Sequence, residues 1–175
     1  MRKFPIIAFF VIAIVTLMSC KDDNNLDDYK EWRSLNNNWL SELELSSGSY
    51  YRKVIPSYDK GQYVLMHWFN DRNTTAGNLQ PYYTSTVAVK YIGRLYNDEA
   101  FDSSYLATDS LFVTKVNAVI PGWTIALQEM HVGDSVEVVI PYQSAYGTTG
   151  SGKILPFSNL KFNIKLVDIP NWETK

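Results

Sequence analysis

Beyond residue 49 the chain breaks into short runs of β-branched and aromatic residues with only one helical stretch among them, and this pattern restricts the fold more than any other feature. The runs cover 50–55, 63–69, 84–96, 135–140 and 160–169. Turn-forming segments divide them, among them Asp59-Lys60-Gly61 and the stretches 70–80 and 142–156. Val87, Val89 and Tyr91 alternate with Ala88, Lys90 and Ile92, and Phe162, Ile164 and Leu166 alternate with Lys161, Asn163 and Lys165. A period of two places one set on each sheet face. The helical stretch, 124–130, is short and comes late, closed by His131-Val132-Gly133. The pattern predicts an α+β fold: a mostly antiparallel sheet with one short helix covering one of its faces.

The segment before this region has another period. Tyr29, Trp32, Leu35, Trp39, Leu40 and Leu43 recur at steps of three and four, which predicts an amphipathic helix over 27–44 with one apolar stripe. Asp27 and Asp28 suit its positive end. The stripe is expected to pack on the domain that follows. Self-association through the same helix is the sharper alternative.

With 46% hydrophobic and 14% aromatic residues in 175, the chain has material for one real core plus short extensions. Its net charge of −2 offers no basic face for phosphates, and nucleic acid is excluded as a partner. One cysteine cannot form an internal disulfide or a cysteine-based zinc site, and His67 and His131 are too few for a histidine cage. No metal and no cofactor are expected.

Cys20 finds its explanation in what precedes it. Met1-Arg2-Lys3 is a short positive segment, and 4–18 is an apolar run interrupted only by Pro5 and Thr16. That is a signal-peptide pattern, since a spanning helix wants about 20 apolar residues. The run ends in Leu17-Met18-Ser19-Cys20, which resembles the lipobox of bacterial lipoproteins. The resemblance implies a leader over 1–19, acyl chains on Cys20 and a membrane as partner. Removing a leader that holds Arg2 and Lys3 takes sixteen basic residues to fourteen against eighteen acidic ones, a net charge of −4. Lys21-Asp22-Asp23-Asn24-Asn25 is polar and reads as a tether over 20–26. Cys-Lys-Asp-Asp also resembles acidic export signals, which points to the outer membrane of a bacterial envelope, on its periplasmic or surface side.

Several motifs are decoys. Gly147 to Lys153 fits the spacing G-x-x-x-x-G-K, but Ile154 stands where a phosphate loop needs Ser or Thr, and Pro156 opposes the helix that must follow. No G-x-S-x-G elbow is present. His67, among aromatics in a strand, reads as structural, and His131 as a helix-end residue.

What remains is an ordered series. Val89-Lys-Tyr91-Ile-Gly93 is followed by Phe101-Asp102-Ser103-Ser104, Val119-Ile120-Pro121-Gly122-Trp123, Ala145-Tyr146-Gly147, Ile154-Leu155-Pro156 and Leu160-Lys-Phe162. Their order and spacing resemble the FKBP family of prolyl isomerases over 87–169. The resemblance implies a half-barrel antiparallel sheet wrapped around one short helix, with an apolar pocket between them. It makes Trp123 the pocket floor, Tyr91, Phe101, Val119, Ile120 and Phe162 its walls, and Tyr146, Ile154 and Leu155 its rim. Asp102 becomes the one charged group, while the Tyr146 hydroxyl and the Ile120 amide orient substrate carbonyls.

The expected organisation is a leader (1–19), a lipidated tether (20–26), a helix (27–48), additional strands and loop (49–86) and an FKBP-like domain (87–170). The function so implied is peptidyl-prolyl cis-trans isomerisation of proline-containing polypeptides, assisting envelope or secreted proteins. The alternative is a binding module or holdase of the same fold with little or no catalysis. The sequence departs from the family pattern in three places: 105–111 is a residue short with Ser110 near the usual wall aromatic, no Arg is placed to pair with Asp102, and Ser151 replaces a bulkier tip residue.

Overall fold

The structure, a computed structural model, describes residues 26–46, 48–106 and 108–170. The expected leader, Cys20 and all of the tether except Leu26 lie outside the described residues.

One antiparallel sheet organises the chain. Its strands are β1 (Arg52–Val54), β2 (Val64–Trp68), β3 (Thr86–Leu95), β4 (Ala100–Ser103), β5 (Phe112–Lys115), β6 (Ser135–Ile140) and β7 (Leu160–Asp168). They run in the order β1-β2-β6-β7-β3-β4, with β5 also on β3. Since β7 takes one edge of β3 along most of its length, β4 and β5 share the other, β5 on residues 86–89 and β4 on 92–94. Neither β4 nor β5 is among the expected strands. Both are four residues long, too short to show a period, and pairing to β3 defines them.

Alternation decides which face is apolar. Val89, Tyr91 and Leu95 of β3 and Leu160, Phe162, Ile164 and Leu166 of β7 are buried together, with Val136, Val138 and Ile140 from β6. The second helix, α2 (Pro121–Gln128), covers this face and adds Trp123, Ile125, Ala126 and Leu127 to the same core. It begins three residues before the expected 124, because Pro121 at its first position has the backbone angle a helix needs and no N–H to leave unpaired. Trp123 therefore belongs to the first helical turn. Gly122 permits the close fit: a Cβ there would lie 2.3 Å from Cγ2 of Ile140.

The first helix, α1 (Lys30–Ser46), follows a 3-10 turn at Leu26–Tyr29. Its apolar stripe faces the domain, with Trp32 packed against the core, and Asn36 on the same face is buried deepest. Trp32, Trp39, Leu40 and Leu43 are half-buried, Leu35 is 42% exposed, and the fully buried residue is Asn36. The helix lies across residues 157–159, where the buried Asn159 N–H needs an acceptor that an apolar side chain cannot supply.

After β2, residues 70–80 fold back and are held by one buried carboxylate. Asp134 accepts hydrogen bonds from Trp68 Nε1 (3.3 Å), Asn70 Nδ2 (3.0 Å), Thr75 Oγ1 (2.5 Å) and the backbone N–H of His131 (2.9 Å). His67 stacks on Tyr50 with ring centres 3.8 Å apart and lies 2.9 Å from the Tyr50 carbonyl through Nδ1. The glycine-rich stretch that mimics a phosphate loop is a tight turn: Gly147, Gly150 and Gly152 have φ of 62°, 71° and 54°, Ser151 pairs with Ile154, and β7 rather than a helix follows.

Candidate functional site

Between α2 and the sheet lies an open cavity of about 430 Å³, lined by Tyr91, Phe101, Asp102, Phe112, Ala118, Val119, Ile120, Trp123, Tyr146 and Phe162. Trp123, only 4% exposed, is surrounded by ring edges. Tyr91 lies 5.0 Å from it, Phe162 5.3 Å and Phe112 6.2 Å, centroid to centroid, each nearly perpendicular to the indole. Phe101 meets Phe162 edge-on at 5.6 Å. Edge-to-face pairs of this kind are worth about 0.5–1.5 kcal/mol each beyond the area they bury. Together they fix the walls before any ligand arrives.

Gly93 makes this box possible. Phe101 and Phe162 meet above β3 where a Cβ on residue 93 would lie 2.7 Å from Cζ of Phe101 and 2.7 Å from Cε1 of Phe162. The serines after Asp102 also have work to do. Ser104 Oγ accepts from the Tyr91 N–H at 2.9 Å, and Ser103 Oγ donates to the Tyr91 carbonyl at 3.2 Å. The Phe101-Asp102-Ser103-Ser104 run is thus the segment that clamps Tyr91 from backbone to hydroxyl.

Among the described residues no arginine pairs with Asp102, and its charge is met otherwise. Tyr91 Oη donates to its Oδ2 at 2.5 Å, and the Ser103 N–H donates to its Oδ1 at 2.8 Å. Burial, then the hydrogen bond to the Asp102 carboxylate, holds the Tyr91 hydroxyl well above its ordinary pKa. Burial also raises Tyr146, with the charge of Asp102 acting in the same direction. Both phenols therefore stay neutral donors. Among the described residues, neither the Tyr146 hydroxyl nor the Ile120 amide donates to any acceptor, so both are free for carbonyl groups entering the cavity.

The sequence-predicted residues fall into three groups. Tyr91, Phe101, Asp102, Val119, Ile120, Trp123, Tyr146 and Phe162 line the one cavity. Ile154 lines a smaller adjoining cleft of about 200 Å³, which shares Phe101, Asp102 and Tyr146 with the first and adds Ser151 and Lys153. Leu155 lines neither and is 40% exposed. Phe112 lines the pocket without having been expected there: β5 sets it opposite Val89, directly after the shortened 105–111 segment. Its signal was present in the Phe-Val-Thr run that begins two residues after Ser110.

Comparison with known proteins converges on one family. Residues 77–167 match the family model described as FKBP-type peptidyl-prolyl cis-trans isomerase. The FKBP-type 22 kDa peptidyl-prolyl cis-trans isomerase of Escherichia coli is 44% identical over 90 residues, which cover 51% of this chain and 43% of the relative. Among solved structures, a peptidyl-prolyl cis-trans isomerase from Pseudomonas syringae superposes with a TM-score of 0.65 at 27% identity, over 80% of this chain and 94% of that one. FkpA from Escherichia coli gives 0.67 at 25% identity, over 81% and 62%. The chain spans less than half the length of the curated relatives, 43% of the 22 kDa protein and 32% of FkpA.

Proposed function

This chain belongs to the FKBP-type peptidyl-prolyl cis-trans isomerase family, and from that premise we propose that its pocket catalyses rotation about Xaa-Pro bonds in polypeptides of the bacterial envelope. The observation that carries the reading is the preformed aromatic cavity over Trp123, with two unengaged donors and one screened carboxylate at its edge.

An Xaa-Pro bond turns slowly because rotation must break amide resonance, a barrier of about 18–20 kcal/mol. No bond to another group is made or broken, so the reaction calls for no nucleophile. The planar amide has more charge separation than the twisted one, and a dry apolar wall therefore favours the twisted form over the ground state. The proline ring sits on Trp123 between Tyr91, Phe162 and Phe112, and burying such a ring contributes about 1.5–3 kcal/mol. The Ile120 N–H and the Tyr146 hydroxyl donate to the carbonyls flanking the proline and fix the axis of rotation. Asp102 orients Tyr91 and presents the one negative charge to the reacting amide. Each 1.4 kcal/mol of differential stabilisation amounts to about tenfold in rate.

Cys20 carries the acyl anchor, and the outer membrane is its place of attachment; the positive start, the apolar run and Leu17-Met18-Ser19 before Cys20 support this. The clients are envelope or secreted chains exposed to the same compartment.

The test is cis/trans exchange of Xaa-Pro peptides followed by NMR. The wild-type chain is expected to speed exchange, Trp123→Ala to abolish the effect and Asp102→Ala to weaken it. Peptide binding without faster exchange would leave only a binding module of this fold.

A further inference from the structure

We propose that Asn36 is a positioning residue for the pocket rim: through its pairing with Asn159, helix α1 fixes the base of the loop that carries Tyr146 and Ile154. The proposal rests on the isomerase reading only for its consequence in catalysis.

The docking of α1 is polar where it is deepest. Asn36 and Asn159 are both fully buried. Asn36 Oδ1 accepts from the Asn159 N–H at 2.8 Å, and the Asn36 carbonyl accepts from Asn159 Nδ2 at 2.7 Å. Asn36 Nδ2 donates to the Trp32 carbonyl at 2.9 Å, and Asn159 Oδ1 accepts from the Tyr142 N–H at 2.9 Å. Every polar end of the pair is engaged. A satisfied buried network of this sort specifies one geometry, where apolar packing tolerates sliding.

From the pair the hydrogen bonds run into the rim. The Tyr142 carbonyl accepts from the Gly147 N–H at 2.9 Å, and the Gly147 carbonyl accepts from the Phe157 N–H at 3.0 Å. Tyr146 lies inside this bracket, and its own carbonyl accepts from the Gly150 N–H at 3.2 Å. A second connection leaves α1 four residues earlier. Trp32 Nε1 donates to Ser158 Oγ at 3.0 Å, and Ser158 Oγ donates to the carbonyl of Leu155 at 2.7 Å, directly after Ile154. A third acts on Phe157, whose φ of 63° is left-handed and unusual for a bulky residue. Such a conformation persists only where its surroundings enforce it. Here the Arg33 guanidinium lies 4.5 Å over the ring and Tyr142 meets it edge-on at 5.4 Å. Three residues on successive positions of one helix face, Trp32, Arg33 and Asn36, thus converge on residues 155–159. Trp32 also packs against the core, but the residue the helix buries completely is the polar Asn36.

The decisive variant is Asn36→Ala in the otherwise intact chain, read by amide hydrogen exchange together with peptide isomerisation. Protection at Gly147, Gly150 and Phe157 is expected to fall about tenfold or more, while Ile92 and Ile164 in β3 and β7 keep theirs. kcat/KM for an Xaa-Pro peptide is expected to fall roughly 10- to 100-fold, the range that small misplacements of orienting groups produce. Unchanged rim protection, or an equal loss at rim and strands, overturns the proposal, as does a loosened rim with kcat/KM intact. If Asn36→Ala does not fold, Trp32→Phe deletes the hydrogen bond to Ser158 while keeping an aromatic ring at the site, and is expected to loosen Phe157, next to Ser158, selectively; no selective effect there overturns the proposal too. A wild-type chain without isomerase activity defeats the catalytic reading instead, and the positioning of the rim then stands or falls on the exchange data.

Discussion

Gly93 is where one absent side chain governs the pocket. Two wall rings occupy the space its Cβ would need, so Gly93→Ala must move Phe101 and Phe162 apart or shift β3. Overpacking of this kind costs about 1–3 kcal/mol, and urea unfolding should show a loss in that range together with weaker binding of prolyl peptides. Tyr91 and Tyr146 give a second expectation at the same scale. Both phenols are raised above the usual 10.0 by burial, with the Asp102 hydrogen bond adding for Tyr91 and its charge for Tyr146. A raised pKa keeps the donor protonated where an ordinary tyrosine would ionise. The profile of kcat/KM against pH should therefore show no tyrosinate limb up to about pH 10, and a loss of activity centred near that value would contradict the assigned environment. Most of the pocket was legible in the sequence because Tyr91, Asp102, Trp123, Tyr146 and Phe162 sit in short ordered motifs. Phe112 was missed because the Phe-Val-Thr run that marks β5 is too short to show a period, and its place in the pocket depends on cross-strand register with Val89. Leu155 lies within a matching motif, yet it lines neither cavity and is substantially exposed.

At the scale of elements, periodicity found the long strands, located α1 and picked the side that faces the domain, yet missed that the deepest contact on that side is polar. A hydrophobic stripe reports where apolar groups could go. It does not report that the buried Asn159 N–H needs an acceptor and so selects Asn36. The 70–80 loop is the corresponding case beside the end of α2, where Asp134 is the organising group. Burial alone raises the Asp134 pKa, but hydrogen bonds from the His131 N–H, Thr75, Asn70 and Trp68 outweigh it and hold the carboxyl below its usual 3.8. The folded state thus binds the proton more weakly than the unfolded chain. The stability this confers is fully present above the unfolded value and is lost as pH falls through the lower folded one. Chemical unfolding between neutral pH and about pH 2 should show this loss confined to the region below about pH 4. Asp134→Asn should remove that part of the dependence and cost about 1.5–3 kcal/mol at neutral pH, the range for hydrogen bonds to a charged group. An unaltered acid limb in the variant would assign the dependence to other carboxylates.

For the molecule as a whole, the proposed anchor and the net charge make separable statements about membrane attachment. Without the leader the chain carries −4, and an anionic surface repels it rather than holds it. On the proposed reading attachment comes from acyl chains on Cys20, at about 0.8 kcal/mol per buried methylene, with two or more chains needed for a stable hold. These two sources respond differently to salt. At about 1 M salt the Debye length shrinks to about 3 Å and surface electrostatics vanish, while burial of hydrocarbon is undiminished. Envelope fractions washed at high salt should therefore retain the wild-type chain, and detergent should release it. Cys20→Ser should leave the same chain outside the membrane fraction at every ionic strength, with isomerisation of Xaa-Pro peptides unaffected, because Cys20 is remote in sequence from every residue that lines the cavity. Release of the wild type by salt alone would mean that a charged partner, and not a lipid on Cys20, holds the domain at the membrane.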